Sequence, residues 1–149
     1  MTSFICLPFA NLSAGQLYDI MALRQTVFVV EQQCAYLDAD GKDQPAWHLI
    51  GSNQSRQTVS YARLLPVGVS YDEHASIGRV VVDPAYRNQG IGMDLMNQAL
   101  RWTRHLFPGA PVKISAQSHL KDFYERFGFS VCGAEYLEDG IPHLPMHTC

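Results

Sequence analysis

The stretch Asp83–Gly92, "DPAYRNQGIG", sits between the valine run Val80-Val81-Val82 and the clearest helical periodicity in the chain. The run of "ASIGRVVVD" reads as a strand covered on both faces, and Asp83-Pro84 ends it. From Gly90 onward, Ile91, Leu95, Ala99, Trp102 and Leu106 share one helical face, while Asp94, Asn97, Arg101 and Arg104 fall largely elsewhere. A strand, a short glycine loop and a helix start together make a phosphate cradle. Free N–H groups at a helix N-terminus face the ligand with about half a unit of positive charge behind them. Gly90 and Gly92 let oxygens approach the backbone with no Cβ in the way, and Arg87 adds a charge.

Other phosphate motifs fail on spacing. A dinucleotide fingerprint needs a third glycine where Leu95 stands, and "GAPVKI" lies where its acidic residue belongs. The G-x-x-x-x-G-K-[ST] loop occurs nowhere. A plain helix start with turn glycines stays open on the loop alone.

Outward from this loop the pattern is mixed α/β. Ser13 and Gln16 match a capping box for a first helix carrying Leu17, Ile20, Met21, Val27 and Phe28, although "VFVV" (27–30) could instead turn extended. The polar run "EQQCAYLDADGKDQPAW" reads as a surface loop. "HLIGSN" and "TVSYARLLPV" read as strands joined by a turn. Pro108-Gly109 stops the long helix, and "VKISA" is a short strand. Ser118 can cap a helix carrying Leu120, Phe123, Tyr124 and Phe127, closed at Gly128. The tail forms two strands around an Asp139-Gly140 turn.

Composition bounds the class. The 149 residues suit one domain spanning 1–149, with 47% hydrophobic and 17% charged residues, as in soluble globular proteins. A net charge of −3 without a basic stripe argues against nucleic acid. No apolar run approaches a membrane span. Cys6, Cys34, Cys132 and Cys149 form no C-x-x-C pair, and the N-terminal residues lack the pattern of a signal peptide. Reduced thiols in the cytoplasm are the expectation. Metal sites also fail. "DADGKD" has Lys42, Asp43 and Leu49 where a calcium loop needs a ligand, a glycine and a glutamate, and His143 and His147 have no cysteine pair upstream. No metal is expected.

Two separated motifs, "IGRVVVDPAYRNQGIG" (77–92) and "FYERFGF" (123–129), resemble the GCN5-related N-acetyltransferases, or GNAT family. "VFVVEQ", "DADGKD" and "GIPH" are similar to its ElaA-type branch. The resemblance implies the acyl-CoA N-acyltransferase fold, a mixed central sheet flanked by helices. It implies that Arg87, Asn88, Gln89, Gly90, Ile91 and Gly92 hold the pyrophosphate of acetyl-CoA. Val80, Val81 and Val82 are then expected to offer backbone groups to the pantetheine arm, one N–H polarising the thioester carbonyl. Tyr124 takes the family's position for a hydroxyl near the departing sulfur. Gln117 stands where relatives often carry an asparagine that contacts pantetheine or acceptor.

The implied reaction is direct acetyl transfer to a primary amine, a small molecule or a peptide. An acyl-CoA sensor without catalysis, and a structural domain whose glycine loop binds nothing, are the alternatives. A homodimer is a further expectation by resemblance. The group that deprotonates the amine stays open. Many relatives carry a glutamate on the strand before the loop, where this chain has Arg79. Glu31, Asp38, Asp40, Asp43, His48 and His143 are the candidates, and the acidic loop among them would attract a cationic acceptor.

Overall fold

A computed structural model describes residues 2–148; Cys149, the last of the four cysteines, lies outside them. The elements run β1 (Ser3–Pro8), α1 (Ala14–Arg24), β2 (Trp47–Ser52), β3 (Thr58–Leu65), β4 (Ala75–Val82), α2 (Ile91–Leu106), β5 (Val112–Gln117), α3 (Lys121–Glu125), β6 (Ser130–Val131), β7 (Tyr136–Glu138) and β8 (Ile141–Thr148). Eight strands build one mixed sheet in the order β1-β2-β3-β4-β5-β8-β6, with β7 also paired to β8. Every pairing is antiparallel except β4 with β5.

Alternation along the strands divides the core into two layers. Ile50, Tyr61 and Val81 pack with Ile20, Leu23 and Val27 beneath α1. Their neighbours Leu49, Ala62 and Leu64 join Ile77, Ile114 and Ala116 against Leu95, Met96 and Ala99 of α2. Each buried Leu, Ile, Val or Met side chain contributes roughly 1.5–3 kcal/mol by leaving water, so α2 is held by its apolar stripe.

Local signals explain most boundaries. Ser13 Oγ accepts from the Gln16 N–H at 3.0 Å, and the Gln16 side chain accepts from the Ser13 N–H at 2.9 Å. Asp139 (φ 53°) and Gly140 (φ 77°) make the tight turn between β7 and β8, and Gly128 adopts a left-handed φ of 89°.

The structure departs from the sequence reading in three places and decides a fourth. β1 was not foreseen, because "SFICLP" is one short edge strand with no turn signal before it. Of the two readings of "VFVV", the continuing helix holds, with a change of winding: Gln25–Glu31 continues α1 as a π-helix. Ser118 caps nothing. It sits in a 3-10 turn and donates to Glu135 Oε2 at 2.8 Å, leaving α3 five residues long. The loop 31–47 is not merely surface, since Asp38, Asp43 and Ala46 are buried.

Candidate active site

The site begins with a fault in β4. Tyr61 pairs with Val81 and Arg63 pairs with Gly78, so Ala62 alone faces both Arg79 and Val80. This is a β-bulge, and Arg79 takes a left-handed φ of 50° to make it. β4 meets β5 only at Ala75–Val112 and Ser76–Lys113. Beyond Ser76 the two parallel strands part, and residues 77–82 face β5 without a partner strand. A cleft of about 830 Å³ opens there, within the size range of small-molecule sites.

One end of the cleft is the glycine loop. Asn88 (φ 63°) and Gly90 (φ 78°) turn the chain left-handed, and Gly90 caps α2. The first helical bond runs from the Asp94 N–H to the Gly90 carbonyl. The N–H groups of Ile91, Gly92 and Met93 therefore have no acceptor among the described residues, and no side chain caps them. A Cβ on Gly90 would meet nothing within 4 Å, and one on Gly92 would touch Phe123 and Val82 at 3.8–3.9 Å. These donors face a space that an acceptor group can enter.

The cleft is lined by Val80, Val81, Val82, Arg87, Asn88, Gly90, Ile91, Gly92, Gln117 and Tyr124. Gln89 is an exposed residue of the same loop and does not line it. Arg87 does not stand free. Its guanidinium makes two bonds to Glu31, at 2.7 and 2.8 Å, across from the π-helical segment. That pairing holds the Glu31 carboxyl below the usual range.

Tyr124 projects from α3 between Phe123 and Phe129, edge to face with both. Burial pushes its hydroxyl up to about 12, so it is a protonated donor at neutral pH. Nearby, Ser115 and Gln117 point away from the Ile114 and Ala116 face of β5. Opposite Gln117 stands His143 of β8, and the rings of His143 and Tyr136 stack at 6.1 Å.

Asp38, Asp40 and Asp43 do not offer free charge to an acceptor, contrary to the reading of an open acidic loop. Buried Arg24 binds Asp38 Oδ2 and Asp43 Oδ1, both at 2.7 Å. Arg63 binds Asp40 at 2.8 Å and Asp43 at 3.1 Å. Arg79 binds Asp38 Oδ1 at 2.8 Å and Asp40 at 3.4 Å, and it alone of the three arginines lines the cleft. His48 is wholly buried away from the cleft, between Tyr61 Oη at 2.6 Å and the Asp43 carbonyl at 2.9 Å. Burial lowers its pKa. The sequence reading missed Arg24 and Arg63. A signal existed: Arg24 falls among Ile20, Leu23 and Val27 on the apolar face of α1, where an unpaired charge would be prohibitive.

The comparisons agree with this geometry. The family described as acetyltransferase (GNAT) domain matches residues 23–148. Protein ElaA of Escherichia coli K12 is 42% identical over 142 residues, covering 94% of this chain and 92% of that protein. The crystal structure of an acyl-CoA N-acyltransferase from Pseudomonas aeruginosa superposes with a TM-score of 0.94 at 40% identity, covering 100% of both chains. That of Escherichia coli ElaA gives a TM-score of 0.92 at 40% identity, over 99% of both. An acyltransferase enzyme with an acyl-CoA donor follows from these likenesses. The chain belongs to the GNAT acetyltransferase family, in its ElaA-type branch.

Proposed function

We propose that the protein is an acetyl-CoA-dependent N-acetyltransferase that moves the acetyl group directly to a primary amine. One observation carries the reading: the amides of Ile91, Gly92 and Met93, unpartnered among the described residues, open α2 beside the cleft that forms where β4 parts from β5, with Ile91 and Gly92 in its lining. Three donors at a helix N-terminus suit a diphosphate. The free edge of β4 suits an amide-containing arm that adds to it as a strand would. The bound thioester supplies the electrophilic carbonyl carbon.

The chain's own residues do the rest. In this reading a backbone N–H of the Val80–Val82 run, which lines the cleft, polarises the carbonyl oxygen. Full proton transfer from a hydroxyl near 12 to a thiolate whose thiol sits near ~8.5 is uphill by roughly 5 kcal/mol. Tyr124 therefore acts as a hydrogen-bond donor that steadies the departing sulfur. We place the reaction in the cytoplasm, where Cys6, Cys34 and Cys132 remain free thiols.

Calorimetry with CoA, followed by a mass-spectrometric search for acetylated amines in a cell extract supplied with acetyl-CoA, tests the reading. Micromolar binding and new N-acetyl products are expected. Absence of binding at millimolar CoA would sink it.

A further inference from the structure

Of the six groups that the sequence offers as proton acceptor, five are occupied. Glu31 pairs with Arg87 at the glycine-loop end of the cleft, the three aspartates pair with arginines, and both ring nitrogens of His48 have buried partners. His143 differs. It lines the cleft, and its Nδ1 lies 2.7 Å from the Ile141 carbonyl. A carbonyl oxygen only accepts, so Nδ1 carries the proton and Nε2 keeps its lone pair in the neutral ring. Glu138 Oε2 lies 3.5 Å from that Nε2. The ring cannot turn freely: Tyr136 stacks on it and ties its own hydroxyl to Ser115 Oγ.

We propose that His143 Nε2 takes the proton of the acceptor ammonium, and that Glu138 steadies the imidazolium so formed. The proposal rests on the amine-acetylating reading above. An alkylammonium resembling lysine is neutral only about one part in a thousand at pH 7. His143 Nε2 accepts its first proton, leaving a lone pair on nitrogen. As the carbon–nitrogen bond forms and the carbon–sulfur bond breaks, nitrogen loses a second proton, which balances the one that makes CoA a thiol. His143 then releases its own proton to solvent. Glu138 is half exposed, so the dyad stands where solvent can collect that proton. Glu138 also favours a cationic acceptor at this end of the cleft.

Steady-state kinetics on the full chain, His143→Gln and Glu138→Gln test this, using a panel of primary alkylamines and of arylamines, the latter already neutral at pH 7. His143→Gln should lower kcat/KM for alkylamines by about 10²-fold or more. The fall should be at least tenfold smaller for arylamines, with the Kd for CoA unchanged. Glu138→Gln should show the same selectivity with a smaller loss. Equal losses for both amine classes, or no loss, overturn the proposal while leaving the transferase reading intact. A wild-type chain that binds CoA and acetylates no amine overturns the transferase reading itself. Nitrogen-15 NMR of the wild-type imidazole is independent of any acceptor. The Nδ1–H form is expected, and a proton on Nε2 in the neutral ring overturns the assignment.

Discussion

Arg79 Nε lies 2.8 Å from Asp38 Oδ1, and residue 79 is held in left-handed backbone in the part of β4 that no longer pairs with β5. A non-glycine residue there is strained by about 1–2 kcal/mol. The tether to Asp38, with the Asp40 contact and the Tyr36 ring beside the guanidinium, offsets that strain. Two substitutions separate tether from backbone. Arg79→Ala keeps the Cβ and loses the tether, whereas Arg79→Gly loses both tether and strain. Urea denaturation should find the glycine variant more stable than the alanine variant by about 1 kcal/mol. Calorimetry should find that it binds CoA more tightly. The reverse order would show that the left-handed backbone at residue 79 carries no such strain.

The same network sets the response to acid. Burial alone would raise the Asp40 carboxyl, but hydrogen bonds and charge from Arg63, with Arg79 behind them, hold it down to about 2 against an ordinary 3.8. A depressed folded value means that this carboxylate stabilises the fold fully above about pH 4 and ceases to as pH falls through about 2. Denaturation midpoints should therefore drop over that window. Asp40→Asn should flatten the slope there and lower stability at neutral pH. Arg24→Met, which takes from the buried Asp38 and Asp43 one of the two arginines that each of them has, should cost about 3 kcal/mol.

Sequence reading succeeded where one local signal decides the outcome. The valine run, the proline stop and the glycine cap each act within a few residues, so β4, the loop and α2 were legible together. The motifs around Arg87 and Tyr124 then named the family. The bulge was not legible, because Arg79 adopts φ 50° only through carboxylates forty residues away. The aspartates of "DADGKD" read as solvated for the same reason: their partners Arg24 and Arg63 come from α1 and β3, and only tertiary packing joins them. His143 was one candidate among six until the Ile141 carbonyl fixed its tautomer.

Arg87 and Glu31 form a bidentate pair with both side chains 40% exposed. An exposed pair of this kind stabilises by at most about 1 kcal/mol, so Arg87 can leave it for a phosphate at little cost. Arg87→Ala should weaken CoA binding by roughly 1.5–3 kcal/mol, the worth of a charged hydrogen bond. Glu31→Ala removes the competitor and should tighten binding, up to about fivefold, with melting temperature nearly unchanged. Weaker binding in Glu31→Ala would mean that Glu31 positions the guanidinium rather than competing for it.

Tyr124 carries a prediction in pH as well as in rate. A tyrosine at its ordinary value begins to lose its donor near pH 10, whereas burial pushes this hydroxyl up to about 12. Raised by burial, it stays protonated across the working range, so kcat should show no fall from this group between about pH 8 and 10. Tyr124→Phe removes the donor and leaves the aromatic packing with Phe123 and Phe129 in place. A hydrogen bond to a developing charge is worth about 1.5–3 kcal/mol, so kcat should fall roughly 10- to 150-fold while the Kd for CoA holds. A variant as active as the parent would show that the sulfur departs without help from this hydroxyl.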